Sequence, residues 1–238
     1  MELVYSRTKT IQEDKVSGFC PGCMHSTVVK LIGEALEEMN LVDKAVMVTG
    51  IGCCGLHMDY IAYDTITAPH GRACAVATGM KRSNPDTLYF TYQGDGDFAS
   101  IGLAESVSAA NRGENITVIF INNGIYGMTG GQCAPTSLPG QITTSTPRGK
   151  DPKKAGMPFR VEQAFTGFDI AYLARGSMAD AKGMMQSKKY IRKAFEKHMK
   201  GEGFCLVELL SPCPTNLNMT PVKSVERIKN EMIKYFPL

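Results

Sequence analysis

Thr87–Gln132, TLYFTYQGDGDFASIGLAESVSAANRGENITVIFINNGIYGMTGGQ, decides the fold. Thr87–Tyr92 is a β-rich apolar run, and Gly94-Asp95-Gly96 breaks it sharply. Phe98–Asn111 then carries Ile101, Leu103, Ala104, Val107 and Ala110 at helical spacing. Ile116–Ile121 has the β-branched and aromatic density of a strand buried on both faces, and Asn122-Asn123-Gly124 ends it. Strand, crossover helix and strand make a right-handed unit, so both loops emerge at one edge of a parallel sheet.

Gly94–Ala99 also fits the dinucleotide fingerprint G-x-G-x-x-G/A, which makes a nicotinamide dehydrogenase one reading. Two features oppose it. Asp95 would set a carboxylate against a bare pyrophosphate, and Asn122-Asn123 stands where a ribose-binding acid belongs. A carboxylate and an amide at neighbouring strand ends are instead hard oxygen ligands for Mg²⁺, which can bridge to a diphosphate. The local alternative for the two asparagines is an ordinary turn pair.

Further strands are expected at Ala45–Thr49, Ile170–Ala174 and Phe204–Leu210, with helices at His25–Asn40, Val161–Phe165, Lys182–Lys200 and Thr220–Phe236. The first helix would bury Val28, Leu31, Ile32, Ala35 and Met39, and the basic one Met185, Ile191 and Phe195. The basic run reads as a solvated face, with a docking patch for an acidic electron carrier as the alternative. The expected class is α/β: one doubly wound domain over 1–238, a mostly parallel sheet with helices on both faces, preceded by a polar arm at 1–18. The irregular stretch 133–158 is long enough to be a lid or a subunit contact.

Cys53, Asp95, Asn123 and Cys213 each fall just after an expected strand, so a parallel sheet gathers them at its ligand-binding edge. The Cys20-Pro21-Gly22-Cys23 turn precedes the first helix and points two sulfurs together. Four thiolates from three segments can hold a [4Fe-4S] cluster; zinc is the competing occupant. Cys54, Cys74, Cys133 and Cys205 read as small buried hydrophobes. Pro69-His70-Gly71-Arg72 opens a helix, where His70, Gly71 and Arg72 suit an anion; a cap at His70 and a surface ion pair at Arg72 are the alternatives.

At 238 residues with a net charge of +3 and no basic stripe interleaved with aromatics, nothing implies nucleic acid. No apolar run approaches membrane-spanning length and the polar start is no signal peptide, so a soluble cytoplasmic protein is expected. Eight cysteines then suggest soft-metal ligation rather than disulfides.

GDG followed by NN resembles the thiamine diphosphate signature, and IYGMTGGQ, with FCPGC, GIGC, PHGRA and SPCPTN in order, resembles the β subunit of 2-oxoacid:ferredoxin oxidoreductases. The resemblance implies Mg²⁺ on Asp95, the Asn123 side chain and the Ile125 carbonyl. It implies phosphates against Gly94, Gly96, Gly52, His70, Gly71 and Arg72, with Gly127, Met128 and Thr129 beside the diphosphate. It implies cluster ligands Cys20, Cys23, Cys53 and Cys213, with Cys54 the alternative to Cys53. The implied reaction decarboxylates a 2-oxo acid oxidatively to acyl-CoA and CO₂, with electrons passing through the cluster to ferredoxin. GGQCAPT resembles the 2-oxoisovalerate and 2-oxoglutarate groups, although Cys133 stands where methionine is expected. The chain has no candidate second domain for the activating glutamate and no C-x-x-C-x-x-C run. An α subunit carrying the pyrimidine-binding domain is therefore expected, with γ and ferredoxin-like δ subunits. A non-oxidative thiamine decarboxylase or carboligase would need no cysteine cluster, and an iron-sulfur subunit without chemistry would need no GDG…NN.

Overall fold

The sheet is assembled from short, mostly apolar strands, and its parallel order brings the loops after β1, β3, β4 and β6 to one edge. A computed structural model describes residues 7–238. The strands are β1 Ala45–Thr49, β2 Asp64–Thr67, β3 Leu88–Gly94, β4 Thr117–Asn122, β5 Tyr172–Ser177 and β6 Cys205–Leu210. They lie in the order β2-β1-β3-β4-β6-β5, and every pairing is parallel. β4 and β6 are buried along their whole length, as strands covered on both faces must be.

Alternation divides the strand side chains between two cores. Met47, Phe90, Ile119 and Val207 pack with α1 (His25–Glu38) and with Ile191, Ala194 and Phe195 from the later helix Ala181–Met199. Val48, Val118, Phe120 and Leu206 face α2 (Ala73–Ser83), α3 (Leu103–Asn111), Phe98 and Phe165. Each such side chain contributes roughly 1.5–3 kcal/mol relative to exposure. Two short helices follow in sequence, α4 Pro152–Ala155 and α5 Val161–Phe165, then α6 Ala181–Met199. The chain closes with α7 Pro221–Arg227, which Thr220 caps by accepting from the Lys223 N–H; the helical path continues through a wider turn to Tyr235.

The expected α/β layering with a parallel sheet is present. Several local expectations shift. β2 carries no apolar alternation and is exposed at every residue, so nothing in its composition marks it; pairing with β1 makes it a strand. β5 starts two residues later than expected. The helix expected from Phe98 is split, because a wide turn over Asp97–Ile101 ends where Gly102 N–H bonds to the Asp97 carbonyl. Met185 is half exposed rather than inward, whereas Ile191 and Phe195 are fully buried.

The basic α6 face is largely paired within the chain. Lys188 reaches Glu34 and Glu38, Arg192 reaches Glu38 and Glu196, and Lys197 reaches Glu202. Of the arm expected at 1–18, residues 1–6 lie outside the described set. Beyond them, Gln12 N–H bonds to the Tyr60 carbonyl and Ala62 N–H to the Thr10 carbonyl, which fastens the arm to its own chain. Among the described residues no helix is long and apolar enough to cross a membrane.

Candidate cofactor cleft and thiol group

At the carboxyl ends of β1, β3 and β4 a cleft is lined by Gly52, Cys53, His70, Gly94, Asp95, Gly96, Asn123, Ile125, Gly127, Met128 and Thr129. This gathers the hard-oxygen residues and most of the expected diphosphate set. Asp95 is buried, and its carboxylate is built into the floor. Oδ2 accepts from Gly124 N–H at 2.9 Å, Ile125 N–H at 3.2 Å and Thr136 Oγ1 at 2.6 Å, while Oδ1 accepts from Gly96 N–H at 3.0 Å. Burial pushes Asp95 up to about 6 despite these bonds. All four donors are neutral, so none of them offsets the carboxylate's charge, and a cation bound beside it would. Asn123 Oδ1 sits over the same turn, accepting from Ile125 N–H at 3.2 Å.

The asparagine pair is more than a turn. Asn122 Nδ2 donates to the fully buried Glu208 Oε1 at 2.7 Å, and Glu208 Oε2 accepts from Arg175 Nε at 2.6 Å. β4 is thereby tied to β6 and β5 directly beneath the loop that presents Asn123.

Glycines make room where side chains would intrude. A Cβ on Gly52 or Gly94 would meet nothing within 4 Å, because both face the open cleft, and Gly52 has φ +131°. Gly96 differs: a Cβ there would come within 1.9 Å of the Tyr126 ring.

Asp97 is the organising group that sequence reasoning passed over. Its side chain is fully buried, and Oδ1 accepts from His70 Nδ1 at 2.5 Å, Gly71 N–H at 2.8 Å and Ile51 N–H at 3.1 Å. Oδ2 accepts from Gln93 Nε2 at 2.6 Å. One carboxylate therefore holds the turn after β1 and the turn before α2 against the end of β3. Gly71 and Arg72 do not line the cleft. Gly71 spends its N–H on Asp97, and Arg72 pairs with Glu105 at 2.6 Å on the surface. His25 and Thr136 are also additions. His25 lines the cleft with Nδ1 2.6 Å from the Tyr92 hydroxyl, and burial lowers its pKa to about 4. The only signal in the sequence for Asp97 is a second acid two residues beyond Asp95.

The thiols converge beside this cleft. Cys20 and Cys23 share a turn closed by the Cys23 N–H to Cys20 carbonyl bond. Burial pushes Cys23 up to about 11, with the charges of Cys20 and Cys213 adding to the effect. Burial pushes Cys53 up to about 12, aided by Cys213, Cys20, Cys23 and Asp95. Cys213 is raised as well, again chiefly by burial, with Asp95 and Cys20 contributing. Ser211 Oγ donates to the Cys23 carbonyl at 3.0 Å, which brings the Cys20–Cys23 turn against the turn that carries Cys213. Cys54 turns away and donates to the Gly50 carbonyl at 3.3 Å. Cys54, Cys74 and Cys205 are buried as expected, and Cys133 is half-buried.

Gly127 is the junction. A Cβ there would lie 3.0 Å from Cys53 Sγ and 3.8 Å from Cys213 Sγ, although Gly127 itself lines the cleft. The stretch 133–158 packs under the same site. Ser137 Oγ and Gln141 Nε2 both donate to the Gly124 carbonyl at 2.6 Å, and the buried Lys150 ammonium donates to the Ser137 carbonyl at 2.8 Å.

Comparison with known proteins gives this arrangement its context. Residues 50–209 match the family model described as thiamine pyrophosphate enzyme, C-terminal TPP binding domain. The ketoisovalerate oxidoreductase subunit VorA of Methanothermobacter thermautotrophicus is 43% identical over 221 residues, covering 92% of this chain and 46% of that protein. The chain thus spans about half the length of that relative. The 2-oxoglutarate synthase subunit KorB of Archaeoglobus fulgidus is 35% identical over 213 residues, covering 89% of this chain and 75% of that one. Among solved structures, a 2-oxoglutarate:ferredoxin oxidoreductase from Magnetococcus marinus, with 2-oxoglutarate, coenzyme A and succinyl-CoA bound, superposes with a TM-score of 0.79. It shares 28% identity and is matched over 95% of this chain and 73% of its own. By fold, by motif order and by these likenesses, the chain belongs to the thiamine diphosphate-binding β subunits of the 2-oxoacid:ferredoxin oxidoreductases.

Proposed function

We propose that the chain is the β subunit of a 2-oxoacid:ferredoxin oxidoreductase that converts a 2-oxo acid and coenzyme A to acyl-CoA and CO₂, and passes the electrons through a [4Fe-4S] cluster to ferredoxin. One observation carries this: the cleft that holds Asp95 and Asn123 is also lined by Cys53, and Gly127 on its wall packs against the Cys53 and Cys213 thiols. Thiamine diphosphate, when bound, supplies the electron sink that stabilises a carbanion after decarboxylation.

In this reading Asp95, the Asn123 side chain and the Ile125 carbonyl hold Mg²⁺. The neutral donors around Asp95 fix the carboxylate's orientation without cancelling its charge. Gly52 and Gly94 leave the backbone clear for the diphosphate, and Gly96 admits the Tyr126 ring beside it. His70 reaches it from the cleft wall, with Asp97 holding its Nδ1–H. Gly71 and Arg72 contribute through the turn they shape rather than from the wall. Gly127, Met128 and Thr129 line the side of the cleft next to the thiols.

Cys20, Cys23, Cys53 and Cys213 carry the cluster. Zinc is the competing occupant, and the preference for a cluster rests on the likeness to the oxidoreductase subunits. The orientation of Cys54 towards Gly50 favours Cys53 as the ligand.

The activating glutamate comes from an α subunit, with γ and ferredoxin-like δ subunits completing the path to ferredoxin. Residues 133–158 brace the metal loop from below and expose Ile142 for a subunit contact. The substrate class is a branched-chain 2-oxo acid or 2-oxoglutarate. 2-Oxoisovalerate is tested first, because the ketoisovalerate relative shares the higher identity.

The deciding experiment is cofactor analysis of this chain purified without oxygen together with its α subunit alone. About four iron, four acid-labile sulfides and one thiamine diphosphate per β chain are expected. Thiamine without iron would move the function to non-oxidative chemistry, and iron without thiamine would remove the role given to Asp95 and Asn123.

A further inference from the structure

Asn216 belongs to the SPCPTN segment, yet neither the diphosphate cleft nor the four thiols account for it. It sits on the turn after Cys213, which is closed by Leu217 N–H to the Cys213 carbonyl and Met219 N–H to the Pro214 carbonyl. From that turn its side-chain amide points two ways. Nδ2 donates to Cys213 Sγ at 3.7 Å and to the Gly127 carbonyl at 3.0 Å. The side chain is wedged in place: a Cβ on Gly131 would lie 3.2 Å from its Oδ1, and one on Gly127 would lie 3.4 Å from its Nδ2. The two glycines of the cofactor loop therefore shape a slot for this one amide.

We infer that Asn216 is a positioning residue that sets the reduction potential of the thiol-bound cluster and locks the loop Tyr126–Gln132 to the sulfur of Cys213. The inference rests on the assignment of the four thiols to an iron-sulfur cluster. When the oxidised cluster takes up one electron, no bond is made or broken and no proton moves; negative charge grows on the iron and its sulfurs. An N–H aimed at one of those sulfurs strengthens as that charge grows, so it favours the reduced form and raises the potential. The same amide donates to Gly127, which lines the cofactor cleft, so one side chain joins the cleft wall to the Cys213 thiol.

The test uses this chain purified without oxygen with its α subunit alone, with iron and sulfide assayed first and the cluster then titrated with dithionite against mediators under electron paramagnetic resonance. Asn216→Leu removes the donor at nearly constant volume, Asn216→Asp replaces it with a negative charge, and Asn216→Gln returns an amide on a longer stem. The potential is expected to fall in Asn216→Leu by about a factor of ten in the one-electron equilibrium constant, ~59 mV. It should fall further in Asn216→Asp and recover in part in Asn216→Gln. Full iron content with an unchanged potential in both Asn216→Leu and Asn216→Asp would overturn the inference. Loss of iron in all three variants would also overturn it, since Asn216 would then be a scaffold for cluster assembly. Wild-type complex without iron would instead sink the assignment of the thiols, an outcome visible before any titration.

Discussion

Replacing Asp97 with alanine tests whether one buried carboxylate organises the cleft. The substitution removes the acceptor for four donors, of which two are backbone N–H groups of Ile51 and Gly71 that cannot turn elsewhere. An orphaned buried donor costs about 1–3 kcal/mol, so these two alone account for roughly 4 kcal/mol. His70 and Gln93 can reorient and add less. Removing a desolvated carboxylate returns part of the cost, and a net loss of about 3 kcal/mol follows. Asp97→Asn keeps an oxygen for His70, Ile51 and Gly71 and sets its amide against Gln93 Nε2, which should cost about 1 kcal/mol. The assay is urea unfolding of the cofactor-free protein under reducing conditions. With an m-value near 3 kcal/mol/M, the alanine variant should lose about 1 M in midpoint at unchanged slope. An alanine variant within ~0.5 kcal/mol of wild type, or an asparagine variant equally damaged, would refute the role given to Asp97.

Gly96→Ala should drive the Tyr126 ring out of place, costing about 1–3 kcal/mol in unfolding measurements and lowering thiamine diphosphate affinity in calorimetric titration; adding Tyr126→Ala should restore the stability. Cys53→Ser should abolish iron incorporation while Cys54→Ser keeps it, as read by iron assay on this chain purified without oxygen with its α subunit alone, because Cys53 shares Gly127 with Cys213 while Cys54 bonds to Gly50. His198 is fully buried, and burial lowers its pKa to about 3. The unfolded chain binds that proton below about pH 6.5 and the folded chain does not, so this histidine's contribution is intact above pH 6.5 and is lost as pH falls towards 3. At pH 5 the difference is about 2 kcal/mol, and His198→Leu should flatten the pH–stability slope between 6.5 and 5 by that amount.

The site was legible where chemistry and strand punctuation coincide. Asp95, Asn123, Cys53 and Cys213 each follow a short, largely buried apolar strand, so parallel pairing brings them to one edge. Asp97 and Thr136 were not legible, because their value lies in which donors surround them, and those come from segments far apart in the chain. Arg72 shows the opposite failure: a plausible phosphate ligand by position, it is claimed by Glu105, a partner no local pattern announces. β2 escaped for a simpler reason. An exposed edge strand has no buried face to impose alternation, so backbone pairing defines it and side chains do not.

The strand order also governs when the protein can mature. β6 lies between β4 and β5, so β5 leaves the ribosome before its only neighbour in the sheet exists. Ser211, at the end of β6, then donates to the Cys23 carbonyl, fastening the last motif of the chain to the first. Contacts this distant in sequence form late in folding. The thiol turns at the two ends of this contact are therefore brought together only after β6 has been synthesised and paired.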